Sequence, residues 1–492
     1  MKLRLALSLA AIVFAIVATA NAGGYRFGIS DQAFYIPAIA KQVDPGLFPR
    51  DRVLIEPQMR LWIGDEIFGA AAAALDGRLP GLFFGVYVIT LLALFGAAVL
   101  FGRSLGATWW TVAAFAALLT LRHRIAKTGA NTLEGYMHPR MLAFAIGLAA
   151  LACIVRHRIG AAIALVVVAA VIHPTTAMWF GAAVAVGGIV ITRRWTLAAI
   201  GAVVVVAAGI WIVIAGPLAG RLVVMDAEWL AALAEKDYLF VTGWPVYAWI
   251  TNLAYPVVIV LLYRHRRSIG AAEPGEPALV AAMLALVAVF LLSVPLTAAR
   301  LALAVELQVN RIFWVLDAVT MFYLAWWLTH FAASRWQSRG RALAAAMLMI
   351  VAVTRGYYVL VVDTGRPLVQ VSLPATAWTD AMAWLRTQPG SWHVLADPGH
   401  GWKYGVSVRV AAAKDVLLES GKDSAMSMYD RTMALRVVER TAALARFDDF
   451  TVSDVRALDV RYDLDVFVDR SDRQFDLPVL FRGRDFVVYD LR

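Results

Sequence analysis

The chain alternates between long apolar runs and short polar links for its first three quarters, and then the pattern changes. Apolar runs cover about 4–20, 80–101, 107–121, 140–155, 160–192, 196–215, 244–263, 278–299, 311–331 and 342–361. Most are long enough for a helix to cross a bilayer, since roughly 20 apolar residues at 1.5 Å each span the hydrocarbon. The 160–192 run is too long for one crossing and carries His173-Pro174 at its middle. Proline cannot continue the helical hydrogen-bond ladder, so the pattern predicts two helices, 160–172 and 175–192, meeting there. That split gives about 11 membrane segments.

After Val361 the periodicity shortens. The sequence predicts an amphipathic helix near 376–387, a strand near 392–396 closed by Asp397-Pro398-Gly399, and helical residues around 424–446. The tail from "YDLDVFVDR" onward alternates as strands do. The expected architecture is an α-helical polytopic membrane protein with a C-terminal extracytoplasmic α/β domain. Its expected domains are a transmembrane part, 1–362, with a first outer loop at 23–79, and a soluble part at 363–492.

Composition supports the membrane reading: the chain is 61% hydrophobic and only 16% charged, against about a quarter charged in soluble domains. Its +10 formal charge is unevenly placed. Residues 363–492 hold 17 basic and 19 acidic residues, so the remainder holds 28 basic and 16 acidic. Base concentrated in short links between apolar runs is a topology signal, not a nucleic-acid footprint.

The links that hold Lys2, Arg4, Arg103, Arg156, Arg158, Arg193, Arg194, Arg264, Arg266, Arg267, Arg335, Arg339 and Arg341 contain only two acids, Glu273 and Glu276. These links are read as cytoplasmic, which puts the N-terminus inside and the C-terminal domain outside. The opening "MKLRLALSLAAIVFAIVATANA" also has signal-peptide grammar. It is read here as a retained first span, and cleavage would leave the rest of the topology unaltered. The single cysteine, Cys153, lies in an apolar run, so no disulfide framework is available.

Candidate chemistry collects on the outer side. The first outer loop carries Asp31, Tyr35, Asp51, Glu56, Asp65 and Glu66. Asp31 lies about ten residues beyond the first span, placed for general-base work on a hydroxyl near the membrane surface. It also precedes "QAFYIPAIAKQ", where an Asp would cap the helix through its side chain.

The next outer loop, "RHRIAKTGANTLEGYMHPR", runs against the positive-inside trend with Arg122, Arg124, Lys127 and Arg140, and it adds His138. Cations there suit a phosphate-binding site. His173 at the helix break and "ELQVNRIFWVLD", with Gln308 and Arg311, complete the candidate substrate-binding set. Asp317 is an intramembrane acid for which the sequence offers no partner. No cofactor is expected from these residues, and dependence on a divalent metal stays open.

The layout resembles the GT-C superfamily of multi-pass membrane glycosyltransferases, its largely uncharacterised bacterial members in particular. The resemblance rests on the first span followed by "SDQAFYIPAI", the broken "IHPTTAMWF" region, the late "QVNRIFWVLD" and the outer domain with "AWLRTQPGSWHVLADP". It implies an outer-loop acid, here Asp31, that activates an acceptor. It further implies a polyprenyl-phosphate sugar donor whose phosphate is gripped by basic residues among Arg122, Arg124, Lys127 and Arg140.

Many members pair their acids in this loop, whereas Asp31 is followed by Gln32. The implied setting is the bacterial inner membrane, with membrane lipid and envelope-glycan assembly proteins as partners. Two other readings stay open at this level: a transporter or flippase of a lipid-linked or polyanionic substrate, and a non-catalytic scaffold of envelope polysaccharide assembly.

Overall fold

A computed structural model describes residues 2–61, 63–74 and 79–492; the last links of the expected first outer loop, 75–78, lie outside the described residues. The chain divides into two compact units. One gathers Met1–Tyr25, Gly85–Val224 and Asp237–Leu368; the other gathers Arg26–Phe84, Met225–Lys236 and Val369–Arg492.

The first unit is helical. Among the described residues six helical stretches are long and apolar enough to cross a membrane: Lys2–Asn21, Leu79–Ser104, Pro174–Thr192, Val246–Ser268, Glu276–Ala298 and Ala302–Asp363. Shorter apolar helices occupy Trp109–Leu119, Pro139–Val155, Ile159–Ile172 and Ala199–Ile214. The last two expected segments, 311–331 and 342–361, lie on either side of a break in the helix, where Trp336 and Gln337 have non-helical backbone. Several of these helices are apolar all round, and four consecutive valines, Val203 to Val206, are all exposed. Such a surface is tolerated where the surrounding medium is lipid. The chain is accordingly a multi-pass membrane protein.

Ring packing holds the interior of this unit. Phe322 meets Phe101 and Phe115 edge-on at 5.5 and 5.7 Å, the arrangement that ring quadrupoles favour. Gly147 lets the ring of Phe180 lie against its helix, since a Cβ there would stand 2.2 Å from Phe180.

Arg266, one of the bases that set the expected topology, is only 1% exposed. Its Nε donates to Glu276 Oε1 at 2.8 Å, and Nη2 reaches Leu105 O and Ala271 O at 2.8 and 2.9 Å. The Tyr323 hydroxyl donates to the same carboxylate at 2.9 Å. Neutralising one partner of such a pair strands the other charge, at a cost of about 3–5 kcal/mol. Glu276→Gln is therefore expected to lower the unfolding midpoint of the purified chain in detergent sharply; an unchanged midpoint would refute the pair's importance.

The second unit carries a five-stranded sheet with strands His393–Leu395 (β1), Asp415–Val416 (β2), Val466–Arg470 (β3), Val479–Arg482 (β4) and Phe486–Asp490 (β5). Their order is β2-β1-β3-β5-β4, parallel across β2-β1-β3 and antiparallel from there on. The helix Ala377–Thr387 opens with a capping box in which Thr376 and Thr379 satisfy each other's backbone N–H. Trp378, fully buried, donates from its indole to Val406 O at 2.9 Å.

Three helices from the first outer loop, Gln32–Val43, Arg52–Leu61 and Gly64–Ala74, belong to this unit. The tie is a buried ion cluster. Asp51, with no exposure, accepts Arg409 Nε at 2.8 Å, Arg436 Nη2 at 2.6 Å and the Val416 N–H at 3.1 Å. Arg409 in turn grips Asp423 with both terminal nitrogens, at 2.6 and 3.0 Å.

Candidate functional site

Within the second unit, Asp31 precedes the helix Gln32–Val43 with helical backbone angles, and its side chain makes no capping bond. The capping role expected of it is thus corrected: its backbone carbonyl, not its carboxylate, takes the Phe34 N–H at 3.0 Å. The carboxylate instead takes the ammonium of Lys422 at 2.9 Å. Lys422 also lies 5.1 Å over the ring of Phe34. Gln32 is fully buried and its amide oxygen accepts the Gly28 N–H at 2.7 Å. An acid at this position would bury a charge where the loop needs an acceptor.

A second lysine stands close by. Lys236 Nζ donates to Gly421 O at 3.0 Å. Burial, and then the neighbouring Lys422, pulls its ammonium below the usual lysine range. One partly exposed carboxylate with two ammoniums can accept a proton, or hold an anion beside it, without leaving the folded unit. Neither lysine was visible as a candidate in the sequence. Lys236 follows the helix Ala227–Ala232, where the Asp226 side chain accepts the Trp229 N–H at 2.9 Å, and Lys422 lies in the helix Ser420–Met426. Among the described residues no group of three His, Cys, Asp or Glu stands close enough to hold a metal ion.

The first unit brings together three of the other expected residues. Arg140, His173 and Arg311 line one small hollow with Thr175, Thr176, Trp179 and Trp314. Its geometry follows from two His-Pro junctions. At each, proline fills the first helical position, where the missing N–H costs nothing. The preceding histidine, in extended backbone, then caps the helix. His138 Nδ1 accepts the Arg140 N–H at 3.3 Å, and His173 Nδ1 accepts the Thr176 N–H at 3.2 Å. The two rings stand 6.2 Å apart. The hollow therefore lies at the positive end of the helix Pro174–Thr192, where anions are favoured. Trp314 stacks on Phe144 at 4.0 Å and supports the wall.

The remaining loop cations are placed differently. Arg140 also pairs with buried Glu134. Arg122 Nε donates to Leu133 O at 3.0 Å, and its guanidinium stands 3.8 Å from Glu134. Lys127 pairs with Asp237. Arg124 is exposed. Gln308 is buried, in left-handed backbone with φ 47°, and it does not line the hollow. The excess positive charge of this loop is thus partly matched by local acids that lie near in space.

Asp317, without a partner in the sequence reading, has one in His123, whose Nε2 lies 3.1 Å from Oδ1. His123 Nδ1 faces Leu121 O at 2.9 Å, so the ring sits between two acceptors. Burial lowers its proton affinity, but the Asp317 bond outweighs that, and the imidazole ends above the usual histidine range.

No family model matches the chain, and no curated protein matches it. Solved structures do. The apo oligosaccharyltransferase of Archaeoglobus fulgidus is similar over 94% of this chain and 69% of its own, with 12% identity and a TM-score of 0.50. The archaeal oligosaccharyltransferase AglB from Archaeoglobus fulgidus, in complex with an inhibitory peptide and a dolichol-phosphate, gives the same coverage and identity with a TM-score of 0.49. At this identity the likeness is one of fold. The chain shares the fold of that archaeal oligosaccharyltransferase.

Proposed function

We propose that this chain is an integral-membrane glycosyltransferase that moves a sugar from a polyprenyl-phosphate donor to an extracytoplasmic acceptor. The observation that carries the reading is Asp31: a partly exposed carboxylate, held by Lys422 and flanked by Lys236, in a chain that shares the fold of an archaeal oligosaccharyltransferase. In the proposed step an acceptor hydroxyl oxygen bonds to the anomeric carbon of the donor sugar. The bond from that carbon to the phosphate oxygen breaks, and its electron pair leaves with the polyprenyl phosphate. The hydroxyl proton passes to Asp31.

Arg140, His173 and Arg311, at the start of the helix Pro174–Thr192, are proposed to bind the donor phosphate. Arg122, Arg124, Lys127, His138 and Gln308 are proposed as a supporting set around that loop. The proposed setting is the bacterial inner membrane, with the N-terminus cytoplasmic and residues 363–492 periplasmic as a soluble domain. Envelope-glycan assembly proteins are its proposed neighbours.

The test is deletion of the gene in its host, followed by mass spectrometry of lipid-linked sugars and surface glycans. The expected result is accumulation of one polyprenyl-phosphate sugar and loss of that sugar from a glycan, both reversed by the wild-type gene. Unchanged lipid and glycan profiles would sink the transferase reading. Accumulation of a complete glycan on the wrong leaflet would favour transport instead.

A further inference from the structure

Trp402 is 78% exposed, on a short helix, His400–Lys403, that directly follows the Asp397-Pro398-Gly399 turn. An indole left in water forfeits one of the largest burial gains available to a side chain. Its surroundings give it a use. The indole lies against Gly421, where a Cβ would stand 2.6 Å from Nε1. Gly421 O takes the Lys236 ammonium at 3.0 Å, and the next residue, Lys422, takes Asp31 at 2.9 Å. Ring and carboxylate are thus linked inside the second unit by a short chain of contacts, from Trp402 to Gly421, from Gly421 to Lys236, and through the adjacent Lys422 to Asp31.

A ring face beside convergent polar groups matches the surface of a pyranose. One face of the sugar presents C–H groups, which pack on the electron-rich face of an aromatic ring. Its hydroxyls need donors and acceptors at the edge. We propose that Trp402 is the stacking platform for a saccharide acceptor, whose ring rests on the indole while a hydroxyl reaches Asp31. This rests on the transferase reading and narrows it: the acceptor is a glycan rather than a peptide or a simple lipid. A tryptophan serving only to anchor the domain in lipid headgroups would need no carboxylate and lysine pair along its edge.

The experiment is a glycan array of bacterial surface oligosaccharides, probed with the full chain in nanodiscs. Wild type should bind a subset of the saccharides. Trp402→Ala should bind them on the order of tenfold more weakly, the equivalent of about 1.4 kcal/mol, and Trp402→Phe should recover most of the loss. Gly421→Ala, which keeps the indole but pushes it aside, should weaken binding in the same way. Matching thermal midpoints would show that all variants fold.

The proposal is overturned if no saccharide binds, or if Trp402→Ala binds as wild type does. It is equally overturned if Trp402→Ala loses only affinity for protein-free liposomes. Because the array reads binding alone, its failure leaves the gene-deletion profile free to judge the transferase reading.

Discussion

Asp31→Asn should reduce sugar transfer by about 10²–10⁴-fold in kcat, the range that loss of a general base produces, while the amount of folded protein in the membrane stays at the wild-type level. The second half of this expectation follows from the geometry. The Asp31–Lys422 pair is only partly shielded, with the two side chains 29% and 13% exposed, and pairs in contact with water contribute about 0–1 kcal/mol. Lys422 also lies 5.1 Å over the Phe34 ring, a contact that does not involve the Asp31 charge. Asparagine preserves the size and one acceptor oxygen, so a large loss of rate must come from the missing proton acceptor.

The measurement is single-turnover transfer in proteoliposomes, alongside an immunoblot of the membrane fraction. Full activity in Asp31→Asn would refute the base. A fall in activity matched by a fall in abundance would reassign Asp31 to the frame of the fold.

Much of this frame was legible along the chain, because local rules decide it. The break at His173-Pro174 needs only the chemistry of proline and a capping side chain, and both are written in adjacent residues. The helix at Ala377–Thr387 and the strand at His393–Leu395 follow from periodicity and turn residues. The helix Val452–Tyr462 was missed, although Thr451 and Asp454 spell a capping box at its start.

What could not be read is the pairing of distant residues. Asp31 and Lys422 are 391 positions apart, Asp51 and Arg409 are 358 apart, and His123 and Asp317 are 194 apart. No periodicity carries such information. The sequence singled out Asp31 among the acids of its loop but offered no role for Asp51. Tertiary structure separates them into a partly exposed carboxylate and a buried clamp.

Asp51→Asn should accordingly behave in the opposite way to Asp31→Asn. Asp51 is enclosed completely, between Arg409 and Arg436, and it holds the first outer loop to the sheet of the same unit. Asparagine keeps the shape but removes the charge, and it turns an N–H donor toward guanidiniums that are themselves donors. Stranding a buried cation in this manner costs about 3–5 kcal/mol, a large part of the 5–15 kcal/mol that typically holds a domain together.

The pH dependence has a defined sign. Burial raises the proton affinity of Asp51, but Arg409 and then Arg436 outweigh it, so its carboxyl is held below the usual carboxylate range. A depressed acid contributes stability that is present above the unfolded value of about 3.9 and is lost as pH falls through the folded one. Asp415 acts in the reverse sense: burial, and then the Asp51 charge, pushes it up to about 6. It therefore favours the folded state most below the usual carboxylate pKa, and it gives up that contribution as pH rises toward 6.

Wild type should thus lose resistance to proteolysis of residues 26–84 and 369–492 steeply below about pH 4. Asp51→Asn should be cleaved readily at neutral pH and show a much weaker acid limb. If the variant resists protease as wild type does at pH 7, the clamp contributes little, and packing around Trp378 must hold the loop and the sheet in one unit.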